Sequence, residues 1–130
     1  MNKKLLITGS ILGLTSVIFG AFGAHSLKEL ISVESLQAFE TGVRYQMYHA
    51  ILLFFFGSSS QITQNTKKLA FYFVTIGVLL FSGSIYGLST NTLTTFDFKS
   101  IAFVTPIGGL FLIIAWTLLL IDFVKKKGDK

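Results

Sequence analysis

The sequence lacks cysteine altogether, has one proline and carries few charged residues. The absence of cysteine excludes disulfide bonds, thiolate metal ligands and cysteine nucleophiles. Charged residues form 13% of the chain, whereas soluble domains carry roughly 25%. A soluble chain this short could not bury the remaining apolar surface in one core. The shortage of charge therefore disfavours a water-soluble domain and favours a protein that is surrounded by lipid.

Long apolar runs take the place of the missing charges. Hydrophobic residues make up 52% of the sequence, and 14 of them are phenylalanine. A helix that crosses the hydrocarbon core of a bilayer needs about 20 mostly apolar residues. Four segments meet this requirement, at about 5–24, 41–60, 69–89 and 101–124. We predict an all-α membrane protein with a single integral domain over 1–130. Its architecture is a four-transmembrane-helix bundle with a short amphipathic helix between spans 1 and 2.

The distribution of lysine and arginine predicts the orientation. The formal net charge is +5, but the basic residues flank apolar segments instead of forming one basic face. This placement disfavours nucleic acid as a partner and favours contact with anionic lipid. Only Lys28, Arg44 and Lys99 fall on the side away from the termini. Since cytoplasmic loops carry the excess of basic residues, we predict a multi-pass cell-membrane protein with both termini in the cytoplasm. The residues on the cytoplasmic side are Lys3, Lys4, Lys67, Lys68, Lys125, Lys126, Lys127 and Lys130.

The first apolar segment also has the form of a secretory signal peptide, with Lys3 and Lys4 before an apolar run. Its run is longer than the roughly 7–15 residues usual for such peptides. Small residues recur in it at a spacing of three and four, which places them on one stripe of a helix where a neighbouring backbone can approach. A cleaved peptide needs no such stripe, so we favour a retained first span. The stripe consists of Gly9, Gly13, Ser16, Gly20 and Gly23.

Residues 25–40 separate the first two spans. Ser26 and Glu29 have the spacing of a capping box, and the apolar residues that follow Ser26 favour a short helix on the membrane surface. Ser32 is expected to N-cap a second helix that continues into the second span.

A polar cluster at the start of the second span is the strongest candidate for a binding site. In a helix, every fourth residue from Glu40 to Tyr48 falls on one stripe, and every fourth residue from Thr41 to His49 falls on the next. Polar and ionisable groups inside a bilayer are expensive and by default indicate function. The alternative is that each group has a structural role. Glu40 and Arg44 would pair at the interface or the arginine would snorkel, the tyrosines would belong to an aromatic belt, and His49 would be a hydrogen-bonded interior residue. The candidate residues are His25, Glu40, Arg44, Tyr45, Gln46, Tyr48 and His49.

His25 and His49 fall on the same side of the membrane in this arrangement. Two imidazoles from neighbouring helices could ligate haem or a metal ion. Neither histidine has another free ligand three or four residues away on its own helix face. Glu29 lies four residues after His25, but the proposed capping box already employs it. We therefore predict no cofactor, no metal site and no catalytic residue, since nucleotide-binding glycine loops and zinc-binding histidine motifs are also missing.

Glycine and proline in the last two spans predict close helix contacts. Gly83 and Gly87 form a Gly-xxx-Gly pattern. Pro106 lies inside the fourth apolar run, where proline removes a backbone donor and tilts or kinks a helix. A hinge or a substrate-lined break is the functional interpretation, and close helix packing, which we favour, is the structural one. The packing and kink positions are Gly9, Gly13, Gly20, Gly83, Gly87, Pro106, Gly108 and Gly109.

Four strings follow one another over nearly the whole chain: GAFGAH at 20–25, TGVRYQMYHA at 41–50, GSIY at 83–86 and TPIGG at 105–109. They resemble the signatures of a bacterial membrane family, domain of unknown function 423, also called uncharacterised protein family 0382. Eukaryotic transmembrane protein 256 looks like a distant relative. The resemblance implies a multi-pass protein of the bacterial cell membrane with a retained first span. It implies no established activity, substrate or catalytic residue.

These observations favour a non-enzymatic protein of unknown activity. It would act as an assembly partner, or would bind a lipid or small molecule through the polar cluster in the outer leaflet. The expected partners are the lipid bilayer and either a membrane protein or a second copy of the chain. One alternative is a small oligomeric transporter or channel, and another is a haem-binding or other membrane enzyme. Few ionisable groups in the apolar segments count against transport.

Overall fold

The computed structural model describes residues 1–126, and this part of the chain folds into helices and the turns between them. Short 3-10 turns lie in two of the connections, at Leu27–Glu29, Asn91–Leu93 and Phe98–Ile101. The prediction of an all-α protein is confirmed for these residues. The four long helices are α1 (Asn2–His25), α2 (Val33–Ser58), α3 (Gln64–Ser89) and α4 (Val104–Lys125).

Each long helix packs mainly against its neighbours in the chain, α1 on α2, α2 on α3 and α3 on α4. Consecutive helices run in opposite directions, so the connections gather at two ends of the bundle. The loop end holds residues 26–32 and 90–103, and the terminal end holds Met1, residues 59–63 and Lys126. The two ends differ in composition, since most of the lysines lie at the terminal end.

Three segments are long and apolar enough to cross a membrane: Asn2–Glu29, Gln64–Ser89 and Val104–Lys125. On each of them, large apolar side chains point away from the bundle, and Leu14, Leu79 and Ile113 are 64%, 63% and 63% exposed. Apolar surface on this scale is favourable in lipid and unfavourable in water. α2 is as long as α3, at 26 residues, but its first half carries charged residues.

The starts of α2 and α4 can be compared with the prediction. α2 begins at Val33 and continues into the predicted span at 41–60, and the Ser32 hydroxyl accepts a hydrogen bond from the Ser35 backbone N–H at 3.1 Å. The predicted N-cap at Ser32 is therefore confirmed. α4 begins at Val104 instead of at residue 101, because Phe98–Ile101 forms a 3-10 turn.

The connection between α1 and α2 is shorter in structure than predicted. The capping box at Ser26 and Glu29 does not form, since the Ser26 side chain makes no capping hydrogen bond. The expected amphipathic helix is reduced to the single turn Leu27–Glu29, whose first residue is fully buried. Three residues cannot present a wide apolar face, so this turn anchors the loop on the bundle through one leucine.

The apolar core fills the half of the bundle nearer the terminal end. Phe56 and Leu53 of α2 pack there with Val74 of α3 and Leu112 of α4, all at most 4% exposed. Burial of such side chains gives about 1.5–3 kcal/mol each against water, but lipid is also apolar, so close packing takes over as the stabilising term. The hydrogen bonds that join α2 to α1 lie near the middle of the bundle, at Leu12, Thr15 and Ser16 of α1.

Glycine permits the closest helix approach, between α3 and α4. A Cβ added at Gly108 would lie 2.7 Å from the carbonyl carbon of Leu80 and 2.9 Å from the carbonyl oxygen of Gly77. On α1, a Cβ at Gly9 would lie 3.0 Å from the Ala50 carbonyl oxygen. Backbone contacts of this kind require the absence of a side chain, as in other small-residue helix interfaces.

The remaining predicted packing positions differ among themselves. Gly13, Gly20 and Gly109 leave a Cβ at 3.9, 3.6 and 3.5 Å from the nearest atom, which is ordinary contact, and Gly87 lies against the Phe98 ring. At Gly83 a Cβ would meet no atom of the described residues within 4 Å. This differs from the close contact expected there, because Gly83 borders an open groove between α1 and α3.

Pro106 lies in the first turn of α4, two residues after its first residue, Val104. The backbone N–H groups of the first turn have no partner within the helix, so proline removes nothing there. α4 continues as one α-helix to Lys125. Pro106 therefore lies at the start of the helix and does not interrupt it.

Candidate functional site

Gln46 of α2 connects three helices through its side-chain amide. Its Nε2 donates to the Leu12 carbonyl oxygen at 2.8 Å and to the Thr15 hydroxyl at 2.6 Å, both on α1. Its Oε1 accepts from the Tyr86 hydroxyl of α3 at 2.6 Å. Gln46 is 4% exposed, and both N–H donors and the carbonyl oxygen of its amide are used. Gln46 therefore holds α1, α2 and α3 together through its side chain.

Two serines on the neighbouring helices extend this network along the inner face of α2. The Ser16 hydroxyl of α1 donates to the Val43 carbonyl oxygen at 3.0 Å. The Ser82 hydroxyl of α3 donates to the Gly42 carbonyl oxygen at 2.7 Å. Both serines are 1% exposed. A hydroxyl in an apolar surrounding is stable only when it is bonded, so these contacts fix α1 and α3 against α2.

His49 is satisfied on both ring nitrogens. Its Nδ1 lies 2.7 Å from the Tyr45 carbonyl oxygen, and its Nε2 lies 3.1 Å from the Trp116 Nε1 of α4. A carbonyl can only accept and an indole N–H can only donate, so these partners assign the neutral ring with the proton on Nδ1. The lone pair on Nε2 faces the indole, and a metal or haem would have to displace Trp116.

The outer face of α2 carries a second set of polar side chains. Glu40, Arg44 and Tyr48 are exposed, and their spacing of four places them on one stripe. We call these three residues the α2 stripe. The Arg44 Nη2 donates to the Thr41 hydroxyl at 3.0 Å, which holds the guanidinium one turn towards the loop end. Ile51 continues the same face and is 58% exposed.

The α2 stripe reaches the middle of the neighbouring helix α1. Val43, next to Arg44, accepts from Ser16, and Gln46 bonds to Thr15. Both partners lie near the centre of Asn2–His25. Arg44 is therefore level with the middle of a helix that is apolar enough to cross a membrane, and it is not confined to the loop end.

The structure does not unite the predicted polar cluster. His25 ends α1 at the loop end and is exposed, whereas His49 is 4% exposed. The residue after His49, Ala50, faces Gly9 near the other end of α1. At 1.5 Å per residue, the two histidines are on the order of 20 Å apart along the bundle. A joint site of His25, Glu40, Arg44 and His49 is therefore not formed, because the helix carries its polar residues to different depths and faces.

The structure separates the six candidate residues of α2 into three groups. Gln46 and His49 face the interior, and Tyr45 lies between the two faces with its ring 5.0 Å from that of Phe81. Glu40, Arg44 and Tyr48 face outward. Among residues 1–126, no three histidine, aspartate or glutamate side chains lie close enough to hold a metal ion.

Two charged residues at the terminal end have structural contacts that the sequence did not reveal. The Lys67 ammonium, 1% exposed, donates to the Ser59 carbonyl oxygen at 2.6 Å and to the Asn2 Oδ1 at 2.9 Å. A cation at the last carbonyls of α2 is favourable. A buried lysine in the first turn of a helix has no periodicity signal, so only the fold identifies it.

Asp122 lies three and four residues before Lys125 and Lys126, a spacing that favours an ion pair on its own helix. In the structure its carboxylate accepts from the Thr63 backbone N–H at 3.2 Å and from the hydroxyls of Thr63 and Thr66 at 2.9 and 2.8 Å. A carboxylate at the N-terminus of α3 satisfies donors that the helix leaves free. Asp122 therefore fastens the end of α4 to the start of α3.

Two cavities lie near the loop end. One, of about 290 Å³, is lined mainly by aromatic rings, including Phe19, Phe39 and Tyr86. The other, of about 310 Å³, lies beside the contact of α1 with α2 and is bordered by Glu40 and Arg44. The second cavity is the one that the α2 stripe can use, since both of its charged residues border it.

Comparison with known proteins agrees with this architecture. A family model described as "Protein of unknown function (DUF423)" matches residues 19–109. The UPF0382 membrane protein SH2409 of Staphylococcus haemolyticus is 36% identical over 97% of this chain and 99% of its own length. YwdK of Bacillus subtilis, also a UPF0382 membrane protein, is 37% identical over 95% of this chain and 98% of its own.

A more distant relative is the UPF0382 inner membrane protein YgdD of Escherichia coli, 32% identical over 97% of this chain and 93% of its own. No solved structure matches the chain. The relatives are thus named as membrane proteins, and their lengths correspond to that of this chain. The chain belongs to the DUF423 family, also named UPF0382, of bacterial membrane proteins of unknown function.

Proposed function

We propose that this protein is a non-enzymatic assembly protein of the cytoplasmic membrane, which docks a membrane-embedded partner on the α2 stripe. The observation that carries the proposal is the exposed Arg44 at the level of the middle of α1. A charged residue at the centre of a bilayer costs about 2.5–3.5 kcal/mol on insertion scales. A partner that covers the stripe removes Arg44 from the hydrocarbon.

The proposal requires that α2 crosses the membrane as a fourth span. Its 26 residues extend about 39 Å at 1.5 Å per residue, which exceeds the hydrocarbon thickness of about 30 Å. α2 lies between α1 and α3 and packs on both, so it shares their depth. The charges in its middle part, Glu40 and Arg44, face outward on one stripe.

The sidedness follows from the lysines at the terminal end, among them Lys3, Lys4, Lys68 and Lys125. Basic residues accumulate on the cytoplasmic side, so both termini are assigned to the cytoplasm and the loop end to the outer side. The Escherichia coli relative carries the name inner membrane protein, which supports the cytoplasmic membrane as the location.

The alternatives of a transporter and a haem protein find less support. A proton or ion path needs polar groups that can exchange partners, but Gln46 and His49 are each held by fixed internal contacts. A haem ligand needs a free nitrogen on His49, and the Trp116 indole uses that nitrogen. On the outer face of α2, Glu40, Arg44 and Tyr48 are exposed and can meet another molecule.

Site-specific photocrosslinking in native membranes tests the proposal. Tyr48 is replaced by a photoreactive phenylalanine derivative, and Tyr72 of α3 is the matched control, since the two tyrosines are 52% and 47% exposed. We expect a protein adduct of discrete mass from position 48 and lipid adducts from position 72. The Arg44→Leu substitution should reduce the adduct from position 48 about tenfold. Lipid adducts alone at both positions would overturn the proposal.

A further inference from the structure

The α2 stripe carries both signs of charge, one helical turn apart. Glu40 and Arg44 differ by about 6 Å in height along α2. The Arg44 guanidinium is held towards the loop end by its bond to Thr41, the residue next to Glu40. A positive group and a negative group are therefore presented side by side at nearly the same depth, on a face that no helix of the described chain covers.

Such a surface is complementary to a copy of itself. Two chains inserted in the same orientation form a symmetric pair only about a two-fold axis along the membrane normal, and such an interface places the same patch of both chains in contact. Because the Arg44 guanidinium is held at nearly the depth of the Glu40 carboxylate, each guanidinium can meet the carboxylate of the other chain. Two charge-assisted contacts form, and all four charges leave the lipid.

The remainder of the α2 face suits the same contact. Towards the terminal end, Ile51 and Phe55 follow on the outward face and are 58% and 44% exposed. They offer apolar packing, which drives helix association in lipid. Beside the two charges, the cavity of about 310 Å³ bordered by Gly20 and Gly23 leaves room for an incoming side chain.

We infer that the partner of the α2 stripe is a second copy of this chain, with Arg44 of each copy bound to Glu40 of the other. This inference rests on the proposed function and names its partner. An alternative occupant of different sequence would have to supply the same two charges in the same order. A second copy of this chain supplies both charges in that order.

Disulfide crosslinking tests the geometry, because the chain has no cysteine of its own. A cysteine introduced by Ile51→Cys should give a disulfide dimer under mild oxidation in native membranes. The controls are Leu14→Cys on α1 and Ile113→Cys on α4, since those side chains are 64% and 63% exposed. A dimer yield at position 51 at least tenfold above both controls supports the inference. Equal yields at the three positions overturn it.

Charge reversal then tests the pairing. In the Ile51→Cys background, Glu40→Arg alone and Arg44→Glu alone should each lower the dimer yield about tenfold, because like charges then meet. Co-expression of the two variants under different tags should restore a mixed dimer, since one chain carries two positive and the other two negative groups. The inference is overturned if the mixed dimer does not form and the yield recovers only when both changes are in one chain. That result would show that Glu40 and Arg44 pair within a single chain.

The two proposals fail in different ways. If the photoadduct from position 48 contains a protein other than this chain, the assembly function stands and the self-pairing is wrong. If it contains only lipid, both are wrong. The Arg44→Lys variant retains the charge and is the control for loss of membrane insertion. It should keep at least half of the dimer yield.

Discussion

α2 has two polar faces that differ in one respect, namely whether their groups have partners inside the chain. On the inner face, Gln46 and His49 are nearly inaccessible and are bonded to α1, α3 and α4. On the outer face, Glu40, Arg44 and Tyr48 are exposed. Groups of the first kind stabilise the fold, and groups of the second kind are available to another molecule. The difference teaches that polarity in a mainly apolar helix bundle indicates function only after its internal partners are known.

The largest effect is expected at the centre of the inner face. Gln46→Leu removes three hydrogen bonds and leaves the Tyr86 hydroxyl without its acceptor, so the free energy of unfolding should fall by about 2 kcal/mol. Gln37→Leu, which changes an exposed glutamine of the same helix, should change it by less than about 0.5 kcal/mol. Reversible unfolding in mixed detergent micelles measures both. Equal effects would show that the two faces do not differ.

A second effect extends the comparison to two adjacent lysines. Lys67→Met removes a buried ammonium that caps α2 at Ser59 and bonds to Asn2, and the expected loss is about 1–2 kcal/mol, the scale of hydrogen bonds to charged groups. Lys68→Met alters an exposed neighbour of equal charge and should be nearly neutral. The same unfolding measurement applies, and a neutral Lys67→Met would remove its structural role.

A smaller effect is expected for the bond of His49 to Trp116. A double-mutant cycle with His49→Phe and Trp116→Phe should give a coupling of about 1 kcal/mol, typical of hydrogen bonds between membrane helices. Trp116→Phe combined with Ser16→Ala serves as the control and should be additive, since Ser16 bonds to Val43 instead. A coupling near zero in the first cycle would show that the inner face does not depend on this bond.

The smallest effect on stability is expected at the α2 stripe. Glu40→Leu and Arg44→Leu should each change the unfolding free energy of the detergent-solubilised monomer by less than about 0.5 kcal/mol. The same variants should still lower the dimer yield in membranes, because the lost contact lies between chains. A loss of monomer stability comparable with that of Gln46→Leu would place these charges among the structural groups and remove the contrast between the faces.

Much of the fold could be predicted from local features of the sequence. The apolar runs predicted three of the spans closely, and the Ser32 N-cap was correct, because both depend on residues near one another in the chain. The capping box at Ser26 was wrong. The local pattern was present, but only the short turn Leu27–Glu29 follows Ser26, and the long helix α2 starts later, at Val33.

The candidate site could be predicted only as a set of residues. Gln46 was named among seven candidates, but its role depends on Leu12 and Tyr86, which come from two other helices. The partners of Asp122 lie 56 and 59 positions away in sequence. The burial of Lys67 had no sequence signal, since a lysine before an apolar run is ordinarily a topology anchor.

The sequence by itself determined that the apolar segments are surrounded by lipid and that they are helical. Its apolar runs are too long and too poor in charge for water, and continuous runs of this length are stable in lipid only as helices. The tertiary structure decided which polar groups are hydrogen-bonded inside the chain and which remain exposed. Helical periodicity groups residues into stripes, but it does not tell which stripe faces a neighbour. That choice depends on where Gly9, Gly42 and Gly108 let other helices approach, and it made Gln46 structural and left Arg44 exposed.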